Sequence, residues 1–138
     1  MLEFNLFLID YWYFSVPLFF FIFLFAYSEM NKGGKKIEPN ELTRLVNKES
    51  AILIDIRKKE DYENGHIMTA LNYPHQEFDN QMHELEKFKD RPIILVCDMG
   101  RNSANIGEKL KKAEFEETFR LNGGMMTWTQ ENLPVVQK

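Results

Sequence analysis

At 138 residues the chain has room for one compact domain plus an appendage, not for two cores. A formal net charge of −4 excludes the broad basic surface that nucleic-acid binding needs. The single cysteine excludes a disulfide within the chain, fits a reducing compartment, and is either inert filling or a reactive thiol. Charge is also unevenly placed: all 17 Lys and Arg lie at or after Lys32, while Glu3, Asp10 and Glu29 leave the preceding segment purely acidic.

Tyr11 to Tyr27 is uncharged and dominated by Phe, Leu, Ile, Trp and Tyr. A helix crosses the hydrocarbon core with about 20 apolar residues, about 17 being the lower limit, and Ser28 or the Leu6–Ile9 stretch extends this one to both interfaces. Tyr11, Trp12 and Tyr13 at one end and Tyr27 at the other suit the headgroup region. Pro17, about two turns in, is tolerable in lipid. A cleaved leader fits poorly, for there is no basic n-region and no small-x-small cleavage site, and a domain this small rarely hides so aromatic a helix. Residues 1–30 are therefore expected to be a single transmembrane anchor with the lipid bilayer as its partner. Lys32, Lys35 and Lys36 follow it directly, so the positive-inside rule places the C-terminal part in the cytoplasm. Residues 31–36, with Gly33-Gly34, read as a flexible basic linker able to touch anionic lipid.

Residues 37–138 alternate strand and helix signals. Ile37 opens a short strand, and Pro39 with Leu42, Leu45 and Val46 marks an amphipathic helix to about Lys48. Ala51–Ile56 is a continuous apolar run, as in a strand buried on both faces. Lys59 to Asn64 reads as a short helix stopped by Gly65, and Ala70–Tyr73 as a brief strand ended by Pro74. Phe78, Met82, Leu85 and Phe88 have helical spacing within Glu77–Phe88. Pro92 precedes a second buried strand, Ile93–Val96. A helix from Ser103 carries Ile106, Leu110 and Ala113 on one face. Phe119–Leu121 is a last strand, Gly123-Gly124 a turn, and Met125–Glu131 a final helix with Trp128 inward. The fold class is α/β: a central, mostly parallel sheet flanked by helices and preceded by one transmembrane helix.

Ligands of such sheets bind beyond the carboxyl ends of the strands, and Cys97 directly follows Ile93–Val96. The loop Cys97-Asp98-Met99-Gly100-Arg101-Asn102 then leads into the helix at Ser103. Strand–loop–helix geometry aims backbone N–H groups and the positive end of a helix dipole at the loop, which favours a reactive thiolate and a bound anion. Gly100 allows the sharp reversal, and Arg101 adds a permanent cation with five donors. A buried, inert cysteine is the competing reading of Cys-x-x-Gly-Arg on its own; the setting favours a functional loop.

Four motifs in order make the region 37–138 resemble a single-domain rhodanese. They are Leu53-Ile54-Asp55-Ile56-Arg57; Glu60-x-Tyr62-x-x-Gly65-His66-Ile67-x-x-Ala70-x-Asn72-x-Pro74; Val96-Cys97-x-x-Gly100-Arg101; and Leu121-x-Gly123-Gly124-x-x-x-Trp128. The anchor is similar to that of certain rhodaneses of the bacterial inner membrane. The resemblance implies that Cys97 attacks the outer sulfur of a small donor, thiosulfate or a persulfide, and then passes that sulfur to a thiol or protein acceptor. It implies a substrate-binding loop of Asp98, Met99, Gly100, Arg101, Asn102 and Ser103, support from Asp55 and Arg57, and no cofactor. A six-residue loop suits sulfur in this family, whereas related phosphatases and arsenate reductases have one residue more. Two departures bear on the donor: Asn102 stands where Arg, Ser or Thr is frequent, and Asp98 sets a negative charge beside the thiol. Met68-Thr69 replaces a frequent Pro-Gly.

Of the remaining polar residues, His66 follows a glycine at a helix end and reads as a capping or packing group. His75 and His83 lack metal-ligand spacing with Cys97, so no metal is assigned. Glu60, Asp61 and Glu63 with Lys58 and Lys59 read as a solvated helix face. Met125, Met126 and Trp128 read as core or site wall. The leading function is a sulfurtransferase or persulfide carrier tethered at the bacterial inner membrane. The alternative is a membrane-tethered interaction module in which the cysteine is incidental.

Overall fold

The structure, a computed structural model, describes residues 1–30 and 32–137. It divides into two compact units between residues 31 and 32. The first holds helix α1 (Leu2–Asp10) and helix α2 (Trp12–Met30), separated at Tyr11, with Pro17 inside α2. Neither helix buries a residue within the chain. By length and composition α2 is apolar enough to cross a membrane. Asp10 sits at the end of α1, so the apolar stretch and the Leu6–Ile9 extension belong to different helices.

The second unit is a five-stranded sheet in the order β1-β5-β4-β2-β3, with every pairing parallel. The strands are β1 (Lys35–Ile37), β2 (Ile52–Asp55), β3 (Leu71–Asn72), β4 (Ile93–Val96) and β5 (Thr118–Leu121). The helices are α3 (Pro39–Lys48), α4 (Lys59–Asn64), α5 (Phe78–Gln81), α6 (Ser103–Lys112) and α7 (Gly124–Gln130). A 3₁₀ helix, Met82–Phe88, continues α5, so the segment read as one helix tightens halfway.

Alternation along the central strands divides the core in two. Ile94 and Val96 join Leu42, Leu45, Leu53, Met125 and Trp128 on one face. Ile93, Leu95 and Cys97 join Ile54, Phe78, Leu85, Ile106 and Leu110 on the other. Both faces of β4 are covered and all four of its residues are buried, which is why its sequence is an unbroken apolar run.

Two expectations are corrected at the start of this unit. Ile37 ends β1 instead of opening it, because Lys35 and Lys36 pair with Phe119 and Arg120. The segment read as a flexible linker over 31–36 is largely built into the fold. Gly33 and Gly34 are buried with φ of +77° and +109°, and the Gly34 carbonyl accepts a bond from Arg120 Nε at 3.1 Å. Asn31 lies outside the described residues. Gly33 lies so close to α6 that a side-chain carbon on Gly107 would overlap the Gly33 carbonyl. Gly107→Ala therefore sets about 1 kcal/mol of helix propensity against an overpacking cost of about 1–3 kcal/mol. We expect the second to win and the thermal midpoint of the domain to fall by several degrees. A midpoint equal to or above that of the wild type would show that Gly33 is not docked on α6.

Candidate functional site

The carboxyl end of β4 delivers Cys97 to the sheet edge, 4% exposed. Main-chain bonds clamp the start of the loop beyond it. The Met125 N–H donates to the Cys97 carbonyl at 2.7 Å, and the Met126 N–H to the Asp98 carbonyl at 3.0 Å. This approach requires glycine at the start of α7: Gly124 has φ +58°, and a Cβ there would overlap the Cys97 carbonyl. Gly123-Gly124 is thus the seat of the cysteine loop as well as a turn.

With its first two carbonyls turned towards α7, the loop presents an N–H to the sulfur. Gly100 N–H donates to Cys97 Sγ at 2.8 Å. Gly100 itself has φ +85°, the left-handed conformation that glycine adopts without strain. Its carbonyl accepts from Ser103 Oγ at 2.9 Å, which ties the loop to the first turn of α6. Asp98, Met99, Arg101 and Asn102 are exposed around the opening, and Ser103 is buried beneath it. The loop residues singled out in the sequence are therefore brought together. Arg101 makes no hydrogen bond or ion pair among the described residues.

Asp55 and Arg57 stand at the end of β2, next to β4. Arg57 Nε lies 3.0 Å from Asp55 Oδ1, and Nη2 lies 2.8 Å from Oδ2, a bidentate pair. Nη2 also donates to the Gly65 carbonyl at 2.7 Å, and Nη1 lies 3.9 Å from Asp98 Oδ1. Burial works against the Arg57 charge. The bond to Asp55 and its field, aided by Asp98 and Asp61, more than offset it and hold the guanidinium above its ordinary value. Arg57 is a brace between β2, the end of α4 and the cysteine loop. Asn72 completes it, its Nδ2 donating to the carbonyls of Asp55 and Arg57.

Gly65 terminates α4 with φ 161°, an extended conformation and not a left-handed cap, and its carbonyl accepts from Arg57. His66 packs as expected: its ring stacks on Tyr62 at 3.8 Å, and Nδ1 lies 2.7 Å from the Tyr62 carbonyl. Beside the loop opens a cleft of about 470 Å³, walled by Arg57, Asp61, Gly65, Asp98, Met99 and Met126. Its rim carries two carboxylates and two exposed methionines, with the Arg57 cation already engaged by Asp55.

One residue near the site belongs to none of the four motifs. Arg120, on β5, is 4% exposed. The available signal was a charge inside the short strand Thr118–Leu121, whose neighbours are apolar or small. A lone arginine in a buried strand needs a partner.

Residues 38–131 match the rhodanese-like domain family. The chain is 35% identical over 123 residues to the uncharacterised protein YibN of Escherichia coli strain K12, covering 88% of this chain and 86% of that protein. It is 29% identical over 98 residues to the thiosulfate sulfurtransferase GlpE of Shewanella oneidensis, covering 71% of this chain and 95% of the relative. Among solved structures, a rhodanese-related protein from Thermoplasma volcanium superposes with a TM-score of 0.68 at 24% identity, over 75% of this chain and 99% of that one. A rhodanese-like domain protein from Staphylococcus aureus gives 0.65 at 25% identity, over 75% and 98%. The parallel sheet, the cysteine loop at the end of its central strand and the sequence match over both lead to one conclusion: the chain belongs to the rhodanese-like domain family.

Proposed function

We propose that the protein is a membrane-anchored sulfurtransferase or persulfide carrier that holds sulfane sulfur on Cys97. The observation that carries this reading is the Gly100 N–H at 2.8 Å from Cys97 Sγ, in a loop whose first carbonyls are turned away towards α7. Such a pocket favours negative charge on sulfur, the state that attacks and the state that results.

In the loading step the Cys97 thiolate attacks the outer sulfur of the donor. The new S–S bond forms as the donor's own S–S bond breaks, and the electron pair leaves on sulfite, for thiosulfate, or on a thiolate, for a persulfide. Cys97 is left as a persulfide, its charge on the outer sulfur. An acceptor thiolate then attacks that sulfur and Cys97 leaves as thiolate, so no net oxidant is consumed. The acidic rim of Asp98 and Asp61, with Arg57 already paired, supports a persulfide donor over the thiosulfate dianion. Support for the anchor comes from the length and apolar composition of α2 and from Lys32, Lys35 and Lys36 after it. The positive-inside rule then places the domain in the cytoplasm of a bacterial cell, at the inner membrane.

A second reading has one observation in its favour. An apolar groove of about 420 Å³, lined by Leu42, Val46, Ile67, Met68, Trp128 and Leu133, lies on the sheet face opposite Cys97. If the domain serves only to bind, partner binding would be the same with Cys97→Ser and sulfur loading would be absent.

Sulfur loading, donor choice and topology each give a separate measurement. Incubated with a persulfide or thiosulfate, the chain gains the mass of one sulfur atom, reversed by a small thiol; Cys97→Ser gains none. Wild-type protein left unloaded by both donor classes would end the carrier reading. Asp98→Asn should load from thiosulfate a few-fold faster, in keeping with about 0.2–1 kcal/mol for an exposed charge pair, and the gain should shrink at high salt. An unchanged rate at low salt would remove Asp98 from donor choice. A reporter fused after Lys138 should behave as cytoplasmic, and a periplasmic signal would reverse the assigned topology.

A further inference from the structure

Arg120 is a buried cation at this end of the sheet that the sulfur chemistry leaves unused. The parallel register pairs Leu95 with Arg120, and Cys97 lies two residues beyond Leu95. All three side chains therefore share the face covered by α6. Two residues of strand rise and one strand spacing separate the Cα atoms of Cys97 and Arg120, roughly 8 Å, within reach of an arginine side chain. Arg120 Nε–H donates to the Gly34 carbonyl at 3.1 Å. Among the described residues its terminal nitrogens have no hydrogen-bond partner, and no carboxylate pairs with it. An arginine whose residue is only 4% exposed, and which has no anion beside it, is costly to keep.

The other charges near Cys97 are committed or exposed. Arg57 is paired with Asp55. Asp98 and Arg101 are exposed on the loop. From the segment after β3, His75 Nδ1 lies against the Ile56 carbonyl. Beyond it, Glu84 takes the Tyr73 hydroxyl and Asp79 pairs with Lys109 of α6. On α6, Ser103, Ile106 and Gly107 are the buried residues of its first turns and are uncharged, and α7 carries no charge. Burial pushes Arg120 below its ordinary value, and a Cys97 thiolate is the charge that opposes the push.

We propose that Arg120 is the buried counter-cation of the Cys97 sulfur, a positioning residue that holds negative charge on the thiolate before loading and on the persulfide after it. The Gly33-Gly34 turn sets its place through the bond to Nε. The proposal rests on the carrier reading for its purpose, but its physical content is separable.

The test uses the full chain in detergent. Its single cysteine makes alkylation report Cys97 alone. Rates with iodoacetamide are measured against pH for wild type, Arg120→Gln and Arg120→Lys, with thermal melting to confirm the fold. Arg120→Gln should alkylate about five- to tenfold more slowly at neutral pH. Its profile should shift to higher pH with the same plateau, and Arg120→Lys should recover most of the rate. Loosened packing alone would instead expose the thiol and speed the reaction. Should the Gln variant not fold, wild type capped with iodoacetamide is compared with wild type capped with iodoacetate. The anionic cap should melt at the higher temperature. Coincident profiles for folded Arg120→Gln and wild type, or equal melting of the two capped forms, would overturn the proposal. Sulfur loading separates the two ideas: wild type that loads while Arg120→Gln alkylates normally sinks this inference alone. Wild type that never loads, with a slowed Arg120→Gln, sinks the carrier reading alone.

Discussion

The bond from the Met125 N–H to the Cys97 carbonyl, with its neighbour from Met126 to Asp98, is the constraint on which the site depends. A loop after a strand must dispose of both its carbonyls and its N–H groups. Here α7 takes the first two carbonyls, and the loop can then turn Gly100 N–H towards sulfur. The clamp is possible only because Gly124 brings the α7 backbone into contact with the loop. Distant parts of the sequence, Val96-Cys97 and Gly123-Gly124, are therefore two halves of one device. Its product is a Gly100 N–H fixed against the sulfur, a preorganised donor of the kind that stabilises developing negative charge.

The sheet makes this device rigid. All-parallel pairing places every strand's carboxyl end on one edge, and β4 is held between β2 and β5. Its carboxyl-end neighbour on one side is the Asp55–Arg57 pair. On the other side, β5 leads directly into the glycine turn that seats the loop. The strands have no more than four residues each, so side chains at the edge lie only a few residues from the core.

How much of this was legible depended on whether local pattern or tertiary contact decides. α3, α4 and β4 lie where Pro39, Gly65 and the Ile93–Val96 run place them, because apolar periodicity and breakers act locally. Asp55, Arg57 and the loop were legible through their motifs, and the structure joins them in one brace. The docked Gly33-Gly34 segment was not legible. A glycine pair between an apolar helix and a domain has the composition of a loose tether, and only contact with Gly107 reveals the close approach. The 3₁₀ turn at Met82–Phe88 was hidden for a related reason: an apolar spacing of three to four residues fits either helix type. Arg120 was visible as a residue but not as a site member, since strand register decides which face it shares.

The charges around Cys97 are then ordered by burial and not by sequence distance. Asp98 is adjacent in the chain but 68% exposed, and it sits 3.9 Å from an arginine nitrogen. Solvent and that neighbour both weaken its field at the sulfur. Arg101 is in the loop and is also exposed. Arg120, remote in sequence, is buried on β5, and in the protein interior the effective dielectric is about fourfold lower than in water; as the proposed counter-cation it would act there. At similar separations its field on sulfur is about fourfold stronger per unit charge than that of an exposed group. On the proposed carrier reading, the negative residue beside the thiol would discourage a dianionic donor from approaching without cancelling the effect of a buried cation on the sulfur. The same reading would separate selection at the rim from activation at the base, because one charge stands in water and the other is buried on β5.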